Sequence, residues 1–211
     1  MQIYNSGCSF TTEHPGFIHE DQMYWYFLSK DLGADNVINE SKSGSSNNLI
    51  IQRVYRHLLS NLDSDTFYII NLTSTTRLDL EPSKSDRFED VLTADAIIRH
   101  HWETNELVAY TQIVGLVAFL NLYHKNYYII NNSKAFEWNP PGPRNPFFNF
   151  VKDNPRILNL YQYSKYNFHE TYSGIKPWDY NLYGWNGHDG PAGHLAYYYK
   201  LKEIIQNRFL N

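Results

Sequence analysis

Apolar positions along the chain follow two patterns, short β-prone runs and longer stretches with helical spacing. The β-prone runs, which predict strands, begin at Ile3 and stop at Gly7, and then cover residues 36–39, 66–72 and 126–130. Helical spacing covers residues 21–32, 49–62, 93–124 with one break near Thr104 and Asn105, and 195–209. A fifth strand or a lid is expected within residues 161–168. Because strands alternate with helices, the predicted fold class is α/β, a three-layer α/β/α sandwich with a mainly parallel sheet of about five strands.

The chain shows no feature that divides it into parts. Its 211 residues are enough to bury a sizeable core. No internal repeat, low-complexity linker or shift in composition occurs along them. We therefore expect a single domain over residues 1–211.

Charge and composition exclude several classes of partner. The net charge is −4 at pH 7 and the 18 Lys and Arg residues are scattered, so no nucleic-acid partner is expected. The N-terminus shows neither a signal peptide nor a membrane anchor, which predicts no membrane partner and a cytoplasmic location where the protein is synthesised. The single cysteine, Cys8, excludes an intrachain disulfide framework and a thiolate zinc cluster.

Two groups of histidines invite a metal interpretation. One group is His14, His19 and Glu20, and the other is His100, His101 and Glu103. Neither group has a recognised ligand spacing. We therefore expect no metal and no cofactor.

The stretch Gly7-Cys8-Ser9 ends the first predicted strand. Glycine tolerates φ values that other residues avoid, so a strand that stops at Gly7 is expected to turn sharply there. Such a turn leaves Ser9 at the carboxyl edge of the sheet, where crevices form and unpaired N–H groups stabilise anions. Ser9 is therefore a candidate nucleophile for acyl transfer, and the alternative is a serine that only caps a turn. Cys8 is a rival nucleophile, although a small buried packing residue is the simpler interpretation.

Further polar residues follow the next two predicted strands or precede the last predicted helix. They are Gly44 and Asn47 after residues 36–39, Thr73 and Ser74 after residues 66–72, and His188 before the closing helix. Because the carboxyl ends of parallel strands meet at one edge of a sheet, the two loops are expected to lie close to Ser9.

Three short blocks carry a resemblance to a known family. Gly7 through Thr11, Asn39 through Asn47, and His188 through His194 resemble the first, second and fifth conserved blocks of the SGNH hydrolases, also called the GDSL family. Gly-Cys-Ser in place of Gly-Asp-Ser, together with Thr73-Ser74 and a following Arg77, is similar to the divergent members found in bacteriophages. The resemblance implies a flavodoxin-like three-layer fold and a serine esterase that acts on O-acetylated sugars or simple esters.

The resemblance also implies roles for individual residues. Ser9 attacks the acyl carbon, and His188 accepts its proton and later returns it to the leaving alcohol. The backbone N–H groups of Ser9 and Gly44 hold the oxyanion. His194, at the start of the closing helix, competes with His188 as the base, but the family's Gly-His pattern favours a packed or solvent-facing histidine there.

Two positions depart from the family's pattern. The third block lacks its Asn, so a hydroxyl of Thr73 or Ser74, or the side chain of Asn47, replaces that oxyanion donor. The acid three residues before His188 is replaced by Trp185. Asp179 is the predicted substitute, and a Ser-His dyad is the alternative. Arg77 binds a carboxylate or sugar near the pocket, or else makes a surface salt bridge.

The predicted function is that of a serine ester hydrolase whose partner is a small ester or an O-acylated carbohydrate. One alternative is a catalytically silent module with the same fold that binds glycan or a virion partner, since Tyr and Trp are abundant, at 18 and 5 residues. Another is an O-acyltransferase that uses the same serine. The sequence leaves the oligomeric state and any association with a virion open.

Overall fold

A computed structural model describes residues 1–8, 11–13, 18–73, 102–131, 150–151, 153–159 and 191–209. Within them the chain forms one five-stranded sheet with the order β2-β1-β3-β4-β5. The strands are β1 (Gln2–Ser6), β2 (Asn36–Asn39), β3 (Thr66–Leu72), β4 (Asn126–Asn131) and β5 (Ile157–Asn159). All four neighbouring pairs are parallel. This strand order is that of flavodoxin-like folds and confirms the predicted α/β class.

Four helices accompany these strands in the described part of the chain. They are α1 (Tyr24–Asp31), α2 (Asn47–Ser60), α3 (Trp102–Leu122) and α4 (Pro191–Phe209), and a short 3-10 turn over Glu20–Gln22 precedes α1. None of these helices is long and apolar enough to cross a membrane.

Several element boundaries differ from the predicted ones. The helix α2 begins two residues early, at Asn47, because the Ser46 side chain accepts a hydrogen bond from the Leu49 N–H at 3.3 Å and caps the helix. The helix α4 begins at Pro191, where proline suits the first helical position because it needs no N–H partner.

Two other predictions concern the middle and the end of the chain. The predicted break near Thr104 and Asn105 is wrong, since α3 is continuous over both residues. Packing of its buried side chains, Ile113 and Leu116 among them, outweighs the weak helix propensity of those two polar residues. The fifth strand lies at Ile157–Asn159, and the predicted range 161–168 lies outside the described residues.

Helices cover both faces of the sheet. Successive side chains of β3 enter different clusters, with Tyr68 and Ile70 on one face and Phe67 and Ile69 on the other. The first face packs against α2 and α3 through Ile50, Val54, Leu58, Ile113, Leu116 and Leu120. The second packs against α1 and α4 through Tyr24, Trp25, Leu28, Tyr198, Leu201 and Ile205. The result is a three-layer sandwich.

The order of the strands determines where a crevice opens. The strand β1 lies between β2 and β3, and the helices that lead to these two neighbours, α1 and α2, pack on opposite faces. The helices that follow β1 and β3 in the described residues, α1 and α3, also pack on opposite faces, so a crevice is expected between the carboxyl ends of these two strands. In sheets of this order, ligands bind at that point.

Candidate active site

The structure describes part of the predicted site. The residues Ser9, Ser74, Arg77, Asp179 and His188 lie outside the described residues, as does Trp185. Gly44, Asn47 and Thr73 lie inside them, together with Gly7 and Cys8. The described residues include parts of three loops at the carboxyl edge of the sheet, one of which leads to Ser9.

The strand β1 leads directly into Gly7. A Cβ atom on Gly7 would overlap Thr11 Oγ1 and lie 3.0 Å from the Cβ of Asn71. Among the described glycines only Gly33 and Gly44 have positive φ, so the predicted reason for Gly7 is wrong. Glycine is needed there because the loop after β1 passes against Thr11 and β3, with no room for a side chain.

The Cys8 side chain is buried in the core cluster between the sheet and α2, with 2% of its surface exposed. This agrees with the predicted packing role. Its carbonyl oxygen accepts three hydrogen bonds, from the Thr11 N–H at 3.0 Å, Thr11 Oγ1 at 2.9 Å and Thr12 Oγ1 at 3.1 Å. The peptide group that joins Cys8 to Ser9 is therefore held firmly on its carbonyl side.

Gly44 lies in an exposed turn between β2 and α2. Its φ is +75°, a conformation that favours glycine. The turn is closed by Ser45, whose N–H and Oγ both donate to the Lys42 carbonyl, at 3.3 and 2.8 Å. Among the backbone hydrogen bonds of the described residues, none uses the Gly44 N–H. Gly44 thus lies in a hydrogen-bonded turn next to the N-terminus of α2, and its role as an oxyanion donor stays a prediction.

Asn47 joins the start of α2 to the end of β3. Its Oδ1 accepts from the Thr73 N–H at 2.7 Å, and its Nδ2 donates to the Thr73 carbonyl at 3.0 Å. Both residues are buried, with 6% and 5% of their surfaces exposed. The Asn47 amide therefore positions the backbone of Thr73, and direct contact of either side chain with a substrate stays a prediction.

Arg53 is a buried cation that the sequence analysis did not select. Its Nη1 donates to the carbonyls of Glu40 at 3.0 Å and Gly7 at 3.4 Å, and its Nη2 donates to Ser45 Oγ at 2.5 Å. The Lys42 N–H also donates to the Gly7 carbonyl, at 3.2 Å. The loops after β1 and β2 are therefore connected to each other. A charged residue three positions from Ile50, on the apolar face of an amphipathic helix, was the available sequence signal.

A network of neutral polar side chains lies beneath these loops. Asn5 donates to Asn39 Oδ1 at 2.9 Å and to Ser41 Oγ at 3.0 Å. Its own Oδ1 accepts from Tyr24 Oη and Asn71 Nδ2, both at 3.2 Å. Asn71 Nδ2 also donates to Tyr24 Oη at 2.6 Å. The ends of β1, β2 and β3 are thus joined through their side chains to α1.

Burial raises the pKa of two tyrosines, Tyr24 within this network and Tyr4 in β1. Burial raises the pKa of Tyr24 well above its ordinary value, and nearby Tyr197 adds to this effect. Burial also raises the pKa of Tyr4, and so does Glu40, whose carboxylate accepts from the Tyr4 hydroxyl at 2.6 Å. Both hydroxyls therefore remain neutral donors near neutral pH.

His194 lies in the first turn of α4. It is buried, with 5% of its surface exposed, and its ring lies nearly parallel to that of Tyr24, with the ring centroids 5.9 Å apart. Of the two roles that the sequence analysis favoured for His194, packed or solvent-facing, the structure shows the packed one. In the described part of the chain no three His, Cys, Asp or Glu side chains form a metal-binding group, and His14, His100 and His101 fall outside that part.

Comparison with known proteins identifies similar solved structures. No protein-family model matches the chain, and no curated protein matches its sequence. The psychrotrophic esterase EstA from Pseudoalteromonas, in a structure inhibited by monoethylphosphonate, superposes with a TM-score of 0.55 at 14% identity, over 100% of this chain and 99% of that chain. A lipolytic protein of the G-D-S-L family from Desulfitobacterium hafniense has a TM-score of 0.56 at 13% identity, over 96% and 98% of the two chains.

An acetylxylan esterase from Geobacillus stearothermophilus is similar as well. Its TM-score is 0.52 at 14% identity, over 96% of this chain and 93% of that one. These likenesses extend over nearly the whole length of both partners in each comparison, and they agree with the resemblance carried by the three sequence blocks. The chain has the fold of the SGNH, or GDSL, hydrolases.

Proposed function

We propose that the chain is a serine ester hydrolase in which Ser9 is the nucleophile and the substrate is a small ester or an O-acylated carbohydrate. The observation that carries the proposal is the frame at the carboxyl edge of the sheet. There, hydrogen bonds connect the loop that leads to Ser9, the Gly44 turn and the end of β3. The full-length likeness to esterases, one of them an acetylxylan esterase, supports the choice of substrate class.

The first chemical step forms a bond between Ser9 Oγ and the acyl carbon, while the hydroxyl proton moves to His188. The bond to the alcohol oxygen then breaks, and His188 returns the proton to the leaving alcohol. Water repeats the two steps on the acyl-enzyme and releases the acid. An imidazole suits both proton transfers because its pKa lies near the working pH.

The oxyanion is held by the N–H groups of Ser9 and Gly44. Three hydrogen bonds on the Cys8 carbonyl polarise the peptide group whose other end is the Ser9 N–H, which strengthens that donor. A third donor is a hydroxyl of Thr73 or Ser74, next to the backbone that Asn47 positions. Each such donor contributes about 2.7 to 4 kcal/mol to the transition state.

A fluorophosphonate tests the nucleophile directly, because it reacts with an activated serine and leaves a covalent adduct. We expect one adduct on wild-type protein, located at Ser9 by peptide mass spectrometry, and none on Ser9→Ala. The matched control is Cys8→Ala, which removes the rival nucleophile beside it and is expected to keep the adduct. Labelling of Ser9→Ala at the wild-type rate contradicts Ser9 as the nucleophile. A folded wild-type protein with no adduct contradicts the proposal and favours the silent binding module.

Turnover of p-nitrophenyl acetate by the same proteins separates the triad from the dyad. If Asp179 orients His188, Asp179→Asn lowers kcat by at least about tenfold. Unchanged turnover favours a Ser-His dyad. Adding an alcohol acceptor distinguishes the third function, since an acyltransferase yields the new ester faster than the free acid.

A further inference from the structure

The Arg53 guanidinium connects two loops that supply the proposed oxyanion donors. One of its acceptors is the Gly7 carbonyl, two residues before Ser9, and another is Ser45 Oγ, next to Gly44. The Glu40 carbonyl, at the end of β2, is the third. This side chain, with 8% of its surface exposed, therefore holds the two loops at a defined distance, together with the hydrogen bond from the Lys42 N–H to the Gly7 carbonyl.

We propose that Arg53 is a positioning residue for the oxyanion hole, which holds the loop that leads to Ser9 at a defined spacing from the Gly44 turn and brings a positive charge into contact with both loops. The inference rests on the proposed ester hydrolase function. It assigns a part in catalysis to a residue of α2 that lies outside the three sequence blocks.

The geometry of the guanidinium accounts for this role. Its planar fork presents donors in fixed directions, so acceptors in two different loops are held at a defined spacing. A flexible ammonium group supplies the same charge without that fork. Because donors in an oxyanion hole must lie about 2.7 to 3.1 Å from the developing anion, a small change in loop spacing weakens at least one of them.

The positive charge of Arg53 also favours the transition state. Negative charge develops on the acyl oxygen only as Ser9 attacks, and a buried cation nearby stabilises that state more than the neutral ester. Low local polarity strengthens the effect, since a buried charge is poorly screened. Loss of Arg53 should therefore lower kcat and leave KM nearly unchanged.

Lys125 provides a matched control. It is equally buried, with 7% of its surface exposed, and its Nζ donates to the carbonyls of Leu62 and Ser64 at 2.6 Å and of Asn61 at 3.4 Å. It directly precedes β4, at the amino edge of the sheet, away from the proposed site. Replacing it removes a buried cation and three hydrogen bonds to carbonyls without touching the carboxyl edge.

The experiment compares Arg53→Met, Arg53→Lys and Lys125→Met by p-nitrophenyl acetate kinetics, fluorophosphonate labelling rate and urea unfolding. We expect Arg53→Met to lower kcat and the labelling rate by at least about tenfold with KM within about twofold of wild type. The kcat of Arg53→Lys should be at least about threefold higher than that of Arg53→Met, because lysine restores the charge but not the planar fork. Lys125→Met should lose stability yet keep kcat within about twofold of wild type.

Each outcome decides the inference. Wild-type kcat in Arg53→Met, or an equal loss of kcat in Lys125→Met at the same folded fraction, overturns it. If Arg53→Met does not fold, Ser45→Ala replaces it. This substitution removes the 2.5 Å acceptor of Arg53 and the hydrogen bond from Ser45 Oγ to the Lys42 carbonyl, so an unchanged kcat there also overturns the inference. A wild-type protein that neither labels nor turns over ester overturns the proposed function, and the inference with it.

Discussion

The two edges of the sheet hold their loops together by different means. At the carboxyl edge a largely buried network of neutral side chains lies beside the Arg53 guanidinium, and Asn5 alone takes part in four hydrogen bonds between side chains. At the amino edge the Met1 amino group pairs with Asp35 at 2.9 Å and Asp65 at 3.5 Å, whose side chains are 84% and 75% exposed. Exposed ion pairs tolerate many geometries and contribute little, whereas a buried network is stable in one arrangement only. The Asn5 network, at the edge that carries the proposed chemistry, therefore has one defined arrangement, whereas the Met1 ion pairs at the amino edge do not.

The largest effect is expected from Asn5→Ala. The substitution leaves Asn39, Ser41, Tyr24 and Asn71 without a shared partner in a buried site, and we expect the free energy of unfolding to fall by about 3 kcal/mol. Urea unfolding followed by circular dichroism measures it.

Gln2→Ala is the control at the other end of the same strand. Gln2 donates one half-buried hydrogen bond to Thr66 Oγ1 at 2.8 Å, so a loss below about 1 kcal/mol is expected. Equal losses for Asn5→Ala and Gln2→Ala would remove the difference between the two edges.

A smaller effect is expected from Gly7→Ala. The new methyl group meets Thr11 Oγ1 and the Asn71 side chain, and overpacking of this kind costs about 1 to 3 kcal/mol. The fluorophosphonate labelling rate should fall with it, because the loop that leads to Ser9 must move. The measurement is the urea midpoint together with that rate.

Gly115→Ala, on the exposed face of α3, serves as the comparison. Its Cβ would lie 3.5 Å from the Tyr55 hydroxyl, an ordinary contact, and alanine in a helix gains up to about 1 kcal/mol over glycine. A Gly7→Ala protein as stable and as reactive as wild type would show that the close approach to β3 is not needed.

The smallest effect concerns the dependence of stability on pH. His57, in the last turn of α2, stacks on Tyr4 with ring centroids 4.1 Å apart and contacts Tyr68 Oη through Nδ1 at 3.1 Å. Burial lowers its pKa below the ordinary value of 6.5; Glu40 opposes the shift and Lys125 adds to it. Since the folded-state pKa is the lower one, the unfolded chain binds more protons as the pH falls through about 6.5, and stability decreases there.

The check is urea unfolding of wild type and His57→Gln at about pH 7.5 and pH 5.5. The wild type should lose more stability than the variant between these two values. Other titrating groups are common to both proteins, so the difference reports His57. Equal losses would show that His57 is as easily protonated in the folded protein as in the unfolded chain.

The sequence predicted the elements of the fold better than the contacts between them. Four strands and the class of the sheet followed from apolar periodicity, which is a local signal. The contact between Asn5 and Asn71 spans 66 positions, and no periodicity predicts which two asparagines in different strands will meet. The need for glycine at position 7 was predicted correctly, but the predicted reason, an unusual φ, was wrong. Glycine is needed because atoms of Thr11 and Asn71 leave no room for a side chain.

The starts of two helices could be predicted from local sequence, whereas the contacts within the site could not. Ser46 and Pro191 are start signals present in the sequence, and reading them as such would have placed both helix starts. The role of Arg53 depends on three acceptors in two separate loops, so only the assembled fold reveals it. The roles of Ser9, His188 and Asp179 rest on the family resemblance and on the experiments above.

The lengths of the outermost strands affect how readily strands of another copy can pair with the sheet. Within the described residues, β2 and β5 form the two borders of the sheet and have four and three residues, whereas β3, in the middle, has seven. A border this short offers an incoming strand only a few backbone groups for pairing. Short border strands are one way in which natural sheets avoid growing into aggregates. The described sheet therefore offers little backbone at either border for the addition of strands from another copy.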